Sequence, residues 1–138
     1  MSTESNKALA RRIVEAVCNE RNVSEWDKHM DKDFVLHYHG QDHKGLEASA
    51  WALASWQGFL GVAPDTRITI DEVVAEGDMV AVRAVLKGTN TGPIGNIPAT
   101  GKKFNMAYVV FDRFRDGKIA ECWQVMDRLV DRLGLNQQ

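Results

Sequence analysis

The last apolar run of the chain carries the residues best placed by type and spacing to do chemistry. In Gly117-Lys118-Ile119-Ala120-Glu121-Cys122-Trp123-Gln124-Val125-Met126-Asp127, side chains two apart share a face if the run is a strand, so Glu121, Trp123, Val125 and Asp127 point one way. A carboxylate sharing a face with an indole and a valine is costly in its ionised form. Its pKa is pushed upward unless hydrogen bonds hold it down. Asp127 is therefore a candidate acid/base group and Trp123 a candidate wall of its site. The alternative for Asp127, which stands next to Arg128 at the end of the run, is a surface ion pair or the cap of a following helix. His37 and His39 form an H-x-H pair on one strand face, with His43 beyond Gly40. Two imidazoles on one face could hold a metal, but no Glu or Cys completes a zinc spacing, so no metal is expected and the pair reads as hydrogen-bonded pocket lining or as partly exposed strand residues. Trp56, Tyr108 and Asn105 are further candidates for contact with an apolar, carbonyl-bearing ligand. Tyr108 and Asn105 differ in strand parity, so only one of them faces inward.

These residues need elements to position them. Leu9, Ile13, Ala16 and Val17 recur at helical spacing behind the cap candidate Ser5, which predicts a helix over about 6–20. Ser24 and Asp27 approximate a capping box for a short second helix carrying Trp26 and Met30. Phe34 to His39 then reads as a strand closed by Gly40. After Gly45, the stripe Leu46, Ala50, Leu53, Trp56 and Leu60 predicts a third helix. From Pro64 the period becomes two, giving strands at 66–76, 79–88, 103–115 and 118–127, with turns at Gly77-Asp78 and Asp116-Gly117. Gly92, Pro93, Gly95, Pro98 and Gly101 mark residues 89–102 as a loop between paired strands. Helices followed by an antiparallel meander predict an α+β domain with the helices on one face of the sheet.

With 138 residues the chain is one domain, residues 1–138, long enough to bury about 68% of its unfolded surface. A net charge of −2 with 26% charged residues, and no Lys/Arg cluster longer than a pair, gives no footprint for nucleic acid or an anionic membrane. Cys18 and Cys122 have no CxxC spacing, and the N-terminus is polar, which reads as reduced thiols in a cytoplasmic protein. No run approaches the length of a membrane span.

Asn6-Lys7-Ala8-Leu9, Asp33-Phe34-Val35-Leu36-His37, Ala75-Glu76-Gly77-Asp78-Met79-Val80-Ala81-Val82-Arg83, Gly88-Thr89-Asn90-Thr91-Gly92, Ile97-Pro98-Ala99-Thr100-Gly101-Lys102 and Asp116-Gly117-Lys118-Ile119-Ala120-Glu121-Cys122-Trp123 with Asp127 occur in an order that resembles the SnoaL-like polyketide cyclase family of the nuclear-transport-factor-2-like fold. The resemblance runs nearly end to end. It implies a cone-shaped curved, mixed but largely antiparallel sheet wrapped around N-terminal helices with an internal pocket, and an assembly of homodimers or homotetramers. It further implies a cofactor-free intramolecular aldol condensation of a hydrophobic polyketide ester, with the family's acid/base aspartate falling on Asp127 and His37 at a cavity-facing position, where it would orient substrate or share a proton. The chain departs from the family pattern at Asn90, where His is common. A related hydrolytic branch activates water with an Asp-Arg-Asp relay, which here could be built only from Arg83, Asp112 and Asp127. A third reading is a non-catalytic binding module of the same fold.

Overall fold

The computed structural model describes residues 2–135. Helix α1 (Thr3–Ile13) starts three residues earlier than the apolar pattern predicts, because Ser2 is the cap: its hydroxyl accepts from the Ser5 amide at 3.1 Å, and the Ser5 hydroxyl accepts from the Ser2 amide. The helix runs on as a π-helical segment, Val14–Asn19. Arg21, in the left-handed region at φ 64°, closes it by donating to the Cys18 carbonyl and to the Pro64 and Thr66 carbonyls. Asn19 fixes its end against the sheet through a two-way amide pair with the Ile68 backbone, at 2.9 and 2.8 Å. Helix α2 (Ser24–His29) lacks the expected capping box, since the Ser24 hydroxyl turns back to Asn22. It is tied to α1 instead by Arg12, which donates to the buried Glu25 carboxylate at 2.6 Å and holds its pKa below the ordinary value.

Strand β1 (Met30–Tyr38) begins four residues before the predicted one and turns through His39 and Gly40, both at positive φ, into a short β2 (Gln41–Lys44). Helix α3 (Gly45–Val62) follows, then β3 (Arg67–Glu76), β4 (Met79–Thr89), β5 (Lys103–Arg115), β6 (Lys118–Met126) and a single turn α4 (Leu129–Arg132). The strands form one curled, unclosed sheet in the order β2-β1-β6-β5-β4-β3. Every pair is antiparallel except β1 with β6, which is parallel. The fold is therefore α+β with a mixed sheet, as the resemblance implies. Among the described residues no helix is long and apolar enough to cross a membrane.

Alternation decides which face is which. Val80, Val82, Ala84 and Leu86 on β4 and Phe104, Met106, Val110 and Phe114 on β5 are buried under α1 and α3, while Arg83, Asn105, Phe111 and Arg113 point outward. The 89–102 loop is pinned to the rim of the sheet by Asn90, which is fully buried. Its side-chain oxygen accepts from the Thr100 amide and hydroxyl, both at 2.8 Å, and its amide donates to the Gly92 carbonyl. The residue standing where the resembling family commonly has His thus holds backbone. Gly92 donates to the Val62 carbonyl at 3.0 Å, so close to the end of α3 that a Cβ would lie 2.0 Å from the Gly61 carbonyl oxygen. Gly92→Ala is expected to force loop and helix apart and to cost about 1–3 kcal/mol, read as a fall in the urea midpoint at unchanged m.

Candidate functional site

The concave face of the sheet, α3 and the π-helical segment enclose a cavity of about 140 Å³. Its wall is aromatic: Trp26, Tyr38, Trp51, Trp56, Phe59 and Tyr108. Trp51 is held by a stacked His43 with ring centroids 4.1 Å apart, and Trp56 stacks on Phe59 at 5.8 Å. Trp26 donates its indole N–H to Ser49 at 2.6 Å, which fixes the ring to α3. These rings are large, rigid apolar surface, suited to a flat hydrophobic ligand. The π-helical segment brings Val17 and Cys18 to the same wall.

A smaller chamber of about 50 Å³ shares Val17, Cys18, Trp26, Tyr108 and Gln124 with the first, and adds Asp112 and Cys122. Strand β5 runs along both. Its inward face reads Phe104, Met106, Tyr108, Val110, Asp112, Phe114, so Tyr108 lines the main cavity and Asp112 lies about 13 Å further in. The register sets Cys122 of β6 directly opposite Asp112 and Gln124 opposite Val110. Asp112 is buried, and loss of solvation pushes its pKa up to about 7, with a hydrogen bond from the Cys122 thiol acting weakly the other way. It has no cation partner among the described residues. Burial likewise pushes the Cys18 thiol up to about 12, and it holds the Cys122 thiol and the Tyr108 phenol well above their ordinary values. Both cysteines are therefore protonated at neutral pH and poor nucleophiles, and Tyr108 is a hydrogen-bond donor. The two chambers together thus offer one carboxyl that can hold or release a proton near neutrality, the phenol O–H groups of Tyr38 and Tyr108 and the carboxamide of Gln124, against largely apolar walls.

The residues singled out by sequence divide into three groups. Tyr108 and Trp56 line the cavity. Asp127 and His39 lie outside it, in an open depression of about 490 Å³ that shares Tyr38, Phe59 and Met126 with the cavity. Asp127 has apolar neighbours there but its carboxylate is hydrogen-bonded: Arg132 donates to it at 2.6 Å and the Ala107 amide at 3.1 Å, which hold its pKa below the ordinary value. The expected upward shift is corrected to a downward one, because charge-assisted hydrogen bonds at a partly exposed position outweigh desolvation.

The third group sits on the outer face of the sheet. The shared parity of Glu121, Trp123 and Val125 is as read, but that face turns outward, with Val125 64% exposed, and Cys122, Gln124 and Met126 turn in. Trp123 stacks on His37 at 5.1 Å and lies under the Arg113 guanidinium. His37 is clamped between Asp42 and Glu121, both at 2.6 Å, and the Glu121 hydrogen bond is the main cause of its raised pKa. Neither it nor Trp123 reaches the cavity. Arg83 is exposed and paired with Glu72 and Asp71, on the face opposite Asp112, so the Arg83, Asp112 and Asp127 relay is not assembled. Asn105 is exposed on the outer face of β5, as parity requires once Tyr108 faces in. Sequence reasoning passed over Gln124, Tyr38 and Trp26 as lining residues, and placed Asp112 only in the relay. A carboxyl among Met106, Tyr108, Val110 and Phe114 on one strand face was the available signal.

Comparison with known proteins places this geometry among relatives. The family model described as SnoaL-like polyketide cyclase matches residues 8–138. None of the curated proteins matches the sequence. Among solved structures, AclR from Streptomyces galilaeus, a proposed hydroxylase, is 28% identical and superposes with a TM-score of 0.85, covering 99% of this chain and 89% of its own. A proposed polyketide cyclase from Acidithiobacillus ferrooxidans is 25% identical with a TM-score of 0.81, covering 99% of both chains. IdmH from Streptomyces antibioticus, also a proposed polyketide cyclase, is 25% identical with a TM-score of 0.78, covering 92% of this chain and 96% of its own.

Proposed function

Because the chain belongs to the SnoaL-like polyketide cyclase family, we propose that it closes a ring in a hydrophobic, polyketide-type substrate by acid/base chemistry, with Asp112 as the group that moves the proton. The observation that carries this reading is the lone buried carboxyl at the inner end of an aromatic cavity, with a pKa of about 7. In the proposed sequence the Asp112 carboxylate takes the proton from a carbon between two carbonyls, and the electron pair moves onto the carbonyl oxygen as an enolate. Tyr108 O–H and the Gln124 carboxamide donate to that oxygen. The enolate carbon attacks a carbonyl further along the same molecule, the ring bond forms, and the new alkoxide takes the proton back from Asp112. A group that alternates between base and acid works best with a pKa near the working pH, which Asp112 has and the ionised Asp127 lacks. The part proposed for Asp127 is to hold Arg132 and the Ala107 amide at the rim.

The first half-reaction can be tested without the native substrate. An aryl β-keto ester in D₂O near pH 6, followed by NMR, should exchange its acidic C–H faster with the protein than without it. Exchange at the background rate would overturn the reading, and an Asp127→Asn protein whose exchange stays within about threefold of wild type would remove that residue from proton transfer.

The family resemblance also motivates a proposed homodimer. Val74, Ala81, Phe111 and Trp123 are in register across β3, β4, β5 and β6 on the outer face, with Val74 60% and Phe111 45% exposed. A second copy packed face to face would cover this apolar row. Phe111→Asp is expected to weaken the dimer by about a hundredfold or more and to elute as monomer in size-exclusion chromatography with light scattering.

A further inference from the structure

We infer that the substrate is amphipathic, with its apolar reacting end in the aromatic cavity and a carboxylate or phosphate at the rim, received by Arg128. This rests on the cavity being the substrate site. At about 140 Å³ the enclosed space is smaller than pockets that hold a whole drug-sized ligand. The outer depression of about 490 Å³ continues it across Tyr38, Phe59 and Met126, so a ligand longer than one or two rings extends into the depression. The charges there are uneven. Asp127 is neutralised by Arg132, whereas Arg128 lines the depression with no ion pair or side-chain hydrogen bond among the described residues. Among the described residues the remaining wall is apolar apart from His39, and with Asp127 engaged by Arg132 an anion at Arg128 gains a charge-assisted hydrogen bond at an open site where it keeps part of its hydration. Register fixes the spacing: Met126 pairs with Tyr108, and Arg128 lies two residues on, about 7 Å further out. A ring against Tyr108 and an anion at Arg128 are thus separated by a short chain.

Calorimetric titration with 4-(2-naphthyl)butanoate, its methyl ester and 3-(2-naphthyl)propyl phosphate tests the assignment. The wild-type protein should bind one or both anions about 3- to 10-fold more tightly than the ester, with the advantage shrinking in 0.5 M salt. Which anion binds more tightly separates a carboxylate-bearing substrate from a phosphate-bearing one. Arg128→Gln should remove the advantage while leaving ester binding unchanged, Arg128→Lys should restore part of it, and Asp112→Asn should retain it. Equal binding of ester and anions by the wild-type protein, or an advantage that survives Arg128→Gln, overturns the inference and leaves the cavity as substrate site intact. Failure of all three probes to bind overturns both.

Discussion

Replacement of Asp112 by Asn is expected to lower kcat by about 10²- to 10⁴-fold, the range lost when a positioned general acid/base is removed. The amide fills nearly the same volume and can still meet the Cys122 thiol opposite, so the fold should persist and circular dichroism should be unchanged. In the wild-type protein the exchange half-reaction should rise with pH as the carboxyl ionises and level off above about 7. A mutant that retains wild-type kcat, or a profile with no inflection near that pH, would remove Asp112 from the mechanism. The pH profile separates a proton-transfer role from a packing role, because a packing residue moves stability but leaves the inflection in place.

The same carboxyl should be visible in stability. Its pKa in the folded protein, about 7, lies above its ordinary value of 3.8, so between these pH values the folded state holds a proton that the unfolded state has released. Stability from this group is full below about 4 and falls as pH rises toward 7, by about 4 kcal/mol in total. Denaturant titrations of wild type and Asp112→Asn between pH 4 and 8 should diverge by this amount, with the mutant the more stable partner at pH 8 relative to pH 4. Glu25, Asp31, Asp65 and Asp127 have lowered values and act in the opposite sense, losing their contributions as pH falls below the ordinary carboxylate range. His37, whose value is raised, loses its contribution as pH rises through it. All are common to both proteins, so the difference between the two curves isolates Asp112. Parallel curves would mean that the carboxyl is solvated in the folded protein. Diverging curves would mean that activity depends on a group that weakens the fold at the pH where it works, a familiar exchange between stability and function.

The α+β class, α3 and the β3 to β6 meander were legible because periodicity and turn residues are local signals. The β1–β2 hairpin was not, since Gln41-Asp42-His43-Lys44 has no strand propensity and pairs only because His39 and Gly40 reverse the chain beside β1. Nor was the π-helical segment, which depends on Asn19 and Arg21 finding backbone partners on β3 and the loop before it. The site was legible by rule and misplaced by strand. A carboxylate on an otherwise apolar face marks a raised pKa, and that rule describes Asp112 on β5. On β6 it was applied to a face whose direction no single strand reveals, because alternation gives two faces and only packing tells which one meets the helices. Asp127 also lies beyond the end of β6, where Arg132 on the following turn satisfies it, a contact that strand parity does not address.

The strand order bears on synthesis as well as on catalysis. β6 lies between β1 and β5, so β1, complete by Tyr38, has no partner along that edge until the chain has reached Lys118, about 80 residues later. At ribosomal rates of about 5–20 residues per second, that edge stays open for about 4–16 seconds. Until then the backbone amides of Met30–Tyr38 can meet only β2, solvent or another nascent chain, and neither chamber has its β6 wall. The molecule therefore gains its enclosed interior only as one of its last strands arrives, in a step that joins the sheet's two halves.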